Sequence, residues 1–532
     1  MKKINNYILL LFSAILLNGC VDLDTYPQGN YVTEEQKSET AALDPSKVEA
    51  GVNGVFTQFS TYMTVITEAS RHNDFGYGSV MLMLDSNGND VVAFNDGYNW
   101  FSGGLEYDDR VYTSYEVRII WGTLYKQIYA ANNVIATVDP ETTEETSMFY
   151  LAQGLATRAY DYWVLAQLYQ FNYVGNESKP CVPLITDKNA VTAGTEGCAR
   201  STVGETYELI MSDLNAAITL LEGTSVTPKD KRYISLATAY GLRARVNLTM
   251  QKWGEAAADA AKAIEHHSGK PYSMSDVSVP AFINSADASW MWGIVIAETD
   301  RVVTSGIVNF PSHMGSLSYG YANFSKGRQI NKILYKSIPD SDVRKGWWLD
   351  ENSASPNLNA DMAKEVANNA YPPYTQVKYA PYNNVAHNST NASDIPLMRV
   401  EEMYLIKAEG EAMGGNVAAA KATLESLIIG YRDPDYTCTA TSVSEMQEEI
   451  FRQRRIELWG EGLNWFDVMR LSKGVDRRGA GYHNPTVVFK IEPTDPILLY
   501  RIPEKEIQSN SLIAEEDNNP AAPIPTPVAD YE

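Results

Sequence analysis

The residues best suited to chemistry sit in one short stretch, Asn95 to Gly104. Tyr98, Trp100 and Phe101 stand there among Asn95, Asp96, Asn99, Gly103 and Gly104. Flat rings beside amides and carboxylates suit a sugar, because a ring covers its C–H face and the polar groups take its hydroxyls. Trp100 leads the candidates, with Tyr98, Asn99 and Asp96 beside it. Tyr319, Tyr321, Trp347 and Trp348 form a second group, from a later stretch dense in aromatics. Adjacent Trp347 and Trp348 are expected to face differently, one buried and one presented. The competing reading of any such ring is a plug in a satellite core.

Other chemistry leaves little trace. None of the six histidines falls in a His-Glu-x-x-His pattern. There is no Gly-x-Ser-x-Gly elbow, and Gly76-Tyr77-Gly78 lacks the third glycine of a dinucleotide loop. No catalytic residue is therefore assigned. Carboxylate pairs of the kind that hydrolyse glycosides have no signature among 66 acidic residues. Asp85-Ser86-Asn87-Gly88-Asn89-Asp90 places oxygen side chains at positions 1, 3 and 5, as a calcium loop would. Asp90 stands where that loop needs Gly, and Asp96 where it needs Glu, so an Asn/Gly turn competes. No cofactor is expected, calcium being the one candidate. Cys181 and Cys198 flank a short loop and could pair, leaving Cys438 over; no Cys-x-x-Cys suggests zinc.

The net charge of −23 argues against nucleic acid and against electrostatic docking on anionic lipid. With 44% hydrophobic and 20% charged residues the chain is globular. Tyr outnumbers Phe by 33 to 14, and tyrosine suits half-wet surfaces, which favours recognition. Lys2 and Lys3 precede a mostly apolar run, Tyr7 to Leu17, too short to span a membrane but suited to export. Leu17-Asn18-Gly19-Cys20 resembles a bacterial lipoprotein signal. Residues 1–19 would be removed, Cys20 lipidated, and 20–45 would form an extended tether.

The elements that must position the candidate rings are helices. Apolar residues recur at helical spacing over 48–59 and 119–138, and Leu155, Ala159, Tyr162, Ala166 and Tyr169 share one face. Thr202 with Glu205, and Ser442 with Glu445, are capping-box patterns. Residues 234–267 read as a helix pair turning at Gln251-Lys252-Trp253. With Ala256, Ala260 and Ala263, the pair resembles one tetratricopeptide repeat, although Arg243 and Asn247 replace its usual Leu and Tyr. A second pair spans 397–429 and turns at Gly414-Gly415. Between them, over 270–395, helical periodicity fades while Pro, Gly, Asn, Ser and aromatics rise. So long a loop region in a helical protein is functional or disordered, and the aromatics favour function.

Gln453-Arg454-Arg455-Ile456-Glu457-Leu458, then Glu461-Gly462, then Asp467-Val468-Met469-Arg470, resembles the C-terminal signature of the SusD/RagB family. Gln453 replaces the usual Glu and Asn464 the usual Arg. Arg399 to Glu409, Ala159 to Tyr169 followed by Pro183-Leu184, and Ile502-Pro503 with Asn519-Pro520 extend the resemblance from Cys20 to about Pro520. It implies an all-α fold in which tetratricopeptide-like helix pairs support a large loop-rich ligand-binding face. One domain, 46–532, is expected: a helical scaffold at 46–269 and 396–532, with the binding region at 270–395. The resemblance further implies a non-enzymatic, lipid-anchored protein of the outer-membrane surface. Such a protein would bind oligo- or polysaccharide and cap a SusC-like TonB-dependent transporter for nutrient uptake. A peptide-binding member of the family and a secreted all-α glycoside hydrolase are the alternatives.

Overall fold

The computed structural model describes residues 34–531, so Cys20 and the leader lie outside the described residues. Twelve helices carry the architecture described here. They are α1 (Glu34–Leu43), α2 (Glu49–Thr57), α3 (Tyr77–Asn87), α4 (Tyr115–Thr137), α5 (Glu145–Tyr169) and α6 (Val203–Glu222), then α7 (Leu236–Thr249), α8 (Trp253–His266), α9 (Val400–Met413), α10 (Val417–Tyr431), α11 (Val443–Glu457) and α12 (Asn464–Arg470). The expected extended tether is corrected over 34–43, which is helical. Glu, Gln, Lys, Ala and Leu there favour a helix, no Pro or Gly opposes it, and it lies against α4.

The helices pack in sequence order, each on the next, from α2 and α4 through α8, and then across to α9 and α10. This is the expected array of tetratricopeptide-like pairs. Helix α5 is buried nearly all round, and its buried residues include Gln153, Arg158, Asp161 and Gln167 beside the apolar ones. Both capping boxes form: Thr202 accepts from the Glu205 amide, and Ser442 from the Glu445 amide. Arg243 and Asn247 take a polar role. They hold Asp259 of α8 at 2.7 and 2.8 Å, and so tie α7 to its partner. Small residues bring α8 against α9. Ala256, Ala260 and Ala263 are wholly buried, and a Cβ on Gly410 would stand 2.6 Å from the Trp253 carbonyl oxygen.

After His266 the chain leaves the array and returns only at Ile395. Short antiparallel ladders organise the excursion: β1 (Val91–Ala93) with β3 (Arg328–Ile330), and β2 (Trp290–Ile294) with β4 (Ile395–Arg399). The Cys181, Cys198 and Cys438 thiols are free, so the possible Cys181–Cys198 bridge does not form.

Loops and helices are joined by buried charge. Glu457, at the end of α11, lies among Arg399, Arg432 and Arg344 at 3.0, 2.8 and 3.3 Å. Arg399 also holds Glu461 at 2.8 Å, and Lys378 holds Glu461 at 2.7 Å. Gln453, where the family pattern has Glu, accepts from Arg344 at 2.6 Å through its side-chain carbonyl. Asn464 does less, since its side-chain nitrogen is buried without a partner. Burial opposes ionisation of Glu457, but Arg432, Arg399 and Arg344 outweigh it and hold the carboxyl well below the usual range.

Removing one member of such a cluster leaves uncompensated buried charge. Glu457→Gln should therefore cost about 3–5 kcal/mol in urea unfolding. The depressed carboxyl contributes stability above its ordinary pKa and loses it as pH falls through the native value. Destabilisation by acid below about pH 4 should accordingly be shallower in Glu457→Gln than in the wild type.

Candidate functional site

The β1–β3 ladder explains how a site forms. Ala93 pairs with Arg328, so residues 94–101 and 321–327 leave the same end of the ladder on adjacent strands. Rings far apart in sequence then meet. Trp100 packs edge to face on Tyr321 at 6.2 Å between centroids, and Tyr98 stacks on Phe324 at 5.3 Å. Tyr98 and Phe324 are each 53% exposed, whereas Trp100 and Tyr321 are half-buried. One ladder of three residue pairs thus collects three of the candidate rings, Tyr98, Trp100 and Tyr321, on one face.

The half-buried rings are braced from below. His72 stacks on Trp100 at 4.9 Å, and its Nδ1 is hydrogen-bonded to the Tyr321 hydroxyl. His313 stacks on Tyr321 at 4.7 Å and reaches the His72 carbonyl at 3.0 Å. The Arg71 guanidinium lies 5.1 Å from the Trp100 ring and is paired with Glu116 at 2.5 Å. Asn73 donates to both the Trp100 carbonyl and Glu116. Arg455 from the C-terminal signature grips Asp90 at 2.9 Å, and Trp459 donates to the Asp90 carbonyl. The loop is therefore fastened to the scaffold just before β1.

The remaining candidates divide. Asp96 is half-buried, accepts from the Tyr98 amide at 3.0 Å, and shapes the turn. Asn99 is corrected as a ligand group. It is buried, its nitrogen donates to the Phe94 carbonyl and its oxygen accepts from the Phe101 amide, so it holds the loop together. Tyr319 stands apart, half-buried and edge-on to His387 at 5.1 Å. Trp347 and Trp348 are corrected outright, since both are wholly buried. Trp347 packs on Phe282 and donates to the Val277 carbonyl, and Trp348 packs edge-on to Trp459. They are the apolar underside of the loop region. The first half of the calcium-loop pattern falls on a helix. Asp85, Ser86 and Asn87 form the last turn of α3 and are buried, Asp85 accepting from the Gly462 amide and Ser86 donating to the Leu82 carbonyl. Among the described residues no group of three or more His, Cys, Asp or Glu could hold a metal ion.

Sequence reasoning left out His72 and Phe324. Phe324 carried a signal, three residues after Tyr321 in the aromatic stretch; His72 carried none. Two carboxylates near these loops are engaged, Glu116 by Arg71 and Asn73, and Glu106 by Asn95, while burial and the charges of Glu106 and Glu116 raise the pKa of Asp108 beside them. The arrangement offers flat apolar rings edged with polar groups, with its cation already paired.

Burial lowers the His72 pKa, with Arg71 adding to the effect, and burial lowers that of His313 further. Both imidazoles are thus neutral at neutral pH, and folding disfavours their protonation. Stability from this source is present above their ordinary value of about 6.5 and falls as pH drops below it. His72→Phe keeps a stacked ring and cannot be protonated. From pH 7.5 to 5.5 its melting temperature should rise relative to that of the wild type; a constant difference would contradict the assignment.

Residues 47–248 match the family described as starch-binding and associating with the outer membrane, and residues 341–521 match the SusD family. SusD-like protein P2 of Formosa agariphila is 24% identical, covering 98% of this chain and all of that protein. The fold resembles a SusD-like carbohydrate binding protein from Bacteroides vulgatus, with TM-score 0.74 and 22% identity, over 89% of this chain and 97% of that one. A laminarin binding SusD-like protein aligns with TM-score 0.61 and 18% identity, over 90% and 99%.

Proposed function

This chain belongs to the SusD/RagB family, and we propose that it captures neutral oligo- or polysaccharide at the bacterial surface and passes it to a TonB-dependent outer-membrane transporter. The supporting observation is the exposed pair Tyr98 and Phe324 beside half-buried Trp100 and Tyr321. A peptide site would be expected to offer free charges and open backbone edges; an aromatic platform is what a sugar ring uses. In this reading the protein works by reversible binding. No step of bond cleavage is assigned. Anchoring is assigned to lipid on Cys20, and among the described residues no helix is long and apolar enough to cross a membrane.

Affinity electrophoresis in gels containing laminarin, amylopectin or galactomannan tests the reading. The wild type should be retarded by at least one of them. Tyr98→Ala and Phe324→Ala should each weaken binding by ~1–3 kcal/mol, the range for losing an anchor ring. Because both rings are exposed, stability should change by only ~0.5 kcal/mol. Trp100→Ala should lower both affinity and melting temperature, since that ring is also braced by His72 and Arg71. Unchanged retardation in a Tyr98→Ala/Phe324→Ala double variant would sink the proposal. Separately, Cys20→Ala should release the protein from the outer-membrane fraction of cells lacking its transporter; retention there would refute the lipid anchor.

A further inference from the structure

A second concavity lies away from these rings. A half-open cleft of about 940 Å³ lies between residues 270–289 and 380–394. None of the rings of the Tyr98–Trp100 face lines it. Its volume falls in the range of ~300–1,000 Å³ typical of small-ligand sites.

The walls combine an apolar strip with unengaged amides. Val279, Ile283 and Tyr382 are exposed or half-exposed along the cleft. Among the described residues the Asn384 side chain has no hydrogen-bond partner, and neither has the Asn284 nitrogen, its oxygen accepting from the Ala286 amide. The loop that presents Tyr382 and Asn384 is held in a costly shape. Asn383, Asn384 and His387 all have positive φ, 56°, 57° and 57°. Three such non-glycine residues in five positions persist only where surrounding contacts impose them, and such backbone gathers at ligand clamps. Those contacts are present: the Asn388 side chain donates to the Tyr382 carbonyl, the His387 amide to the Leu317 carbonyl, and the Tyr319 amide to the Asn388 carbonyl. The loop is thus tied to its neighbours by hydrogen bonds, and it reaches Tyr319, two residues from Tyr321 of the aromatic face.

Charge narrows the ligand. Asp276, Asp287 and Asp394 line the cleft against Lys270 alone, so an anionic chain is disfavoured. The acids are structural in part: Asp394 accepts from the Ser285 and Ile296 amides, and Asp287 from the Tyr272 hydroxyl. What remains for a ligand is a ring face, an apolar strip and free amides, a complement for uncharged hydroxyl-bearing rings.

We infer that this cleft is a second glycan-binding site, taking a few units of a neutral chain apart from the Tyr98–Trp100 face. The inference rests on the glycan-binding reading above. Two sites on one chain would raise apparent affinity for long polymers over short ones without any new contact, because the second contact becomes intramolecular.

The test uses the full-length mature protein with laminarin, amylopectin and galactomannan. Asn384→Ala and Tyr382→Ala alter exposed or half-exposed side chains, and melting curves verify folding. Each should weaken retardation by the bound polysaccharide roughly 3- to 10-fold while leaving the Tyr98–Trp100 face intact. A Tyr98→Ala/Phe324→Ala variant should keep residual retardation, which adding Tyr382→Ala and Asn384→Ala abolishes. Hydrogen exchange at saturating polysaccharide should show protection over 280–289 and 380–388, persisting in the Tyr98→Ala/Phe324→Ala variant. If cleft variants bind like the wild type and these segments gain no protection, while the aromatic-face variants lose binding, the second site is refuted and the primary reading stands. If none of the three polysaccharides retards the wild type, both fall.

Discussion

Everything on the ligand-facing side depends on how one buried carboxylate is neutralised. Glu457 is wholly buried and is met by guanidinium groups from three separate parts of the chain: Arg344 in the loop region, Arg399 at the end of β4, and Arg432 just beyond α10. Lys378, from the same loop region, joins through Glu461. The four cations are balanced by Asp342, Glu401, Glu457 and Glu461. A cluster of this kind adds little net stability over well-packed apolar side chains, because desolvation offsets the attraction. Its consequence is positional: Arg344 and Lys378 of the 270–395 excursion pair with Glu457 and Glu461 of the scaffold, and so tie the loop region to it.

That constraint passes outward to the rings. Arg455, two residues from Glu457, holds Asp90, and Asp90 precedes β1. The β1–β3 ladder then carries the fixed position to the loops bearing Tyr98, Trp100, Tyr321 and Phe324. Trp347 and Trp348 pack beside the charged cluster, with the Lys378 nitrogen 4.9 Å from the Trp347 ring.

The scaffold was largely legible in the sequence, because its signals are local. Helical spacing, two capping boxes, the alanines of α8 and the Gly414-Gly415 turn each need only a few neighbouring residues to be read. The site was legible in part. Trp100, Tyr98 and Tyr321 stood out by type and by their loop context, yet nothing local says that they meet. Their meeting depends on strands three residues long, separated by most of the chain and too short to show alternation. Trp347 and Trp348 misled for the same reason. Their surroundings read as loop, but the residues that bury them, Phe282 and Trp459, are remote in sequence. Asn99 shows a further limit, since an amide that closes a turn and one that meets a ligand have the same sequence context.

The division between legible scaffold and illegible face has a physical origin. Helix pairs stack by repeating one local solution, so sequence period and structure agree. The binding face is assembled once, from single contacts of long range: an Arg–Asp pair, a three-residue ladder, a loop locked in left-handed conformations by carbonyl contacts. Such contacts leave the exposed side chains free of structural duty. Tyr98, Phe324, Tyr382 and Asn384 are held in place by their backbones and by their neighbours. Their ring faces and amides can then be exchanged without disturbing the charge cluster.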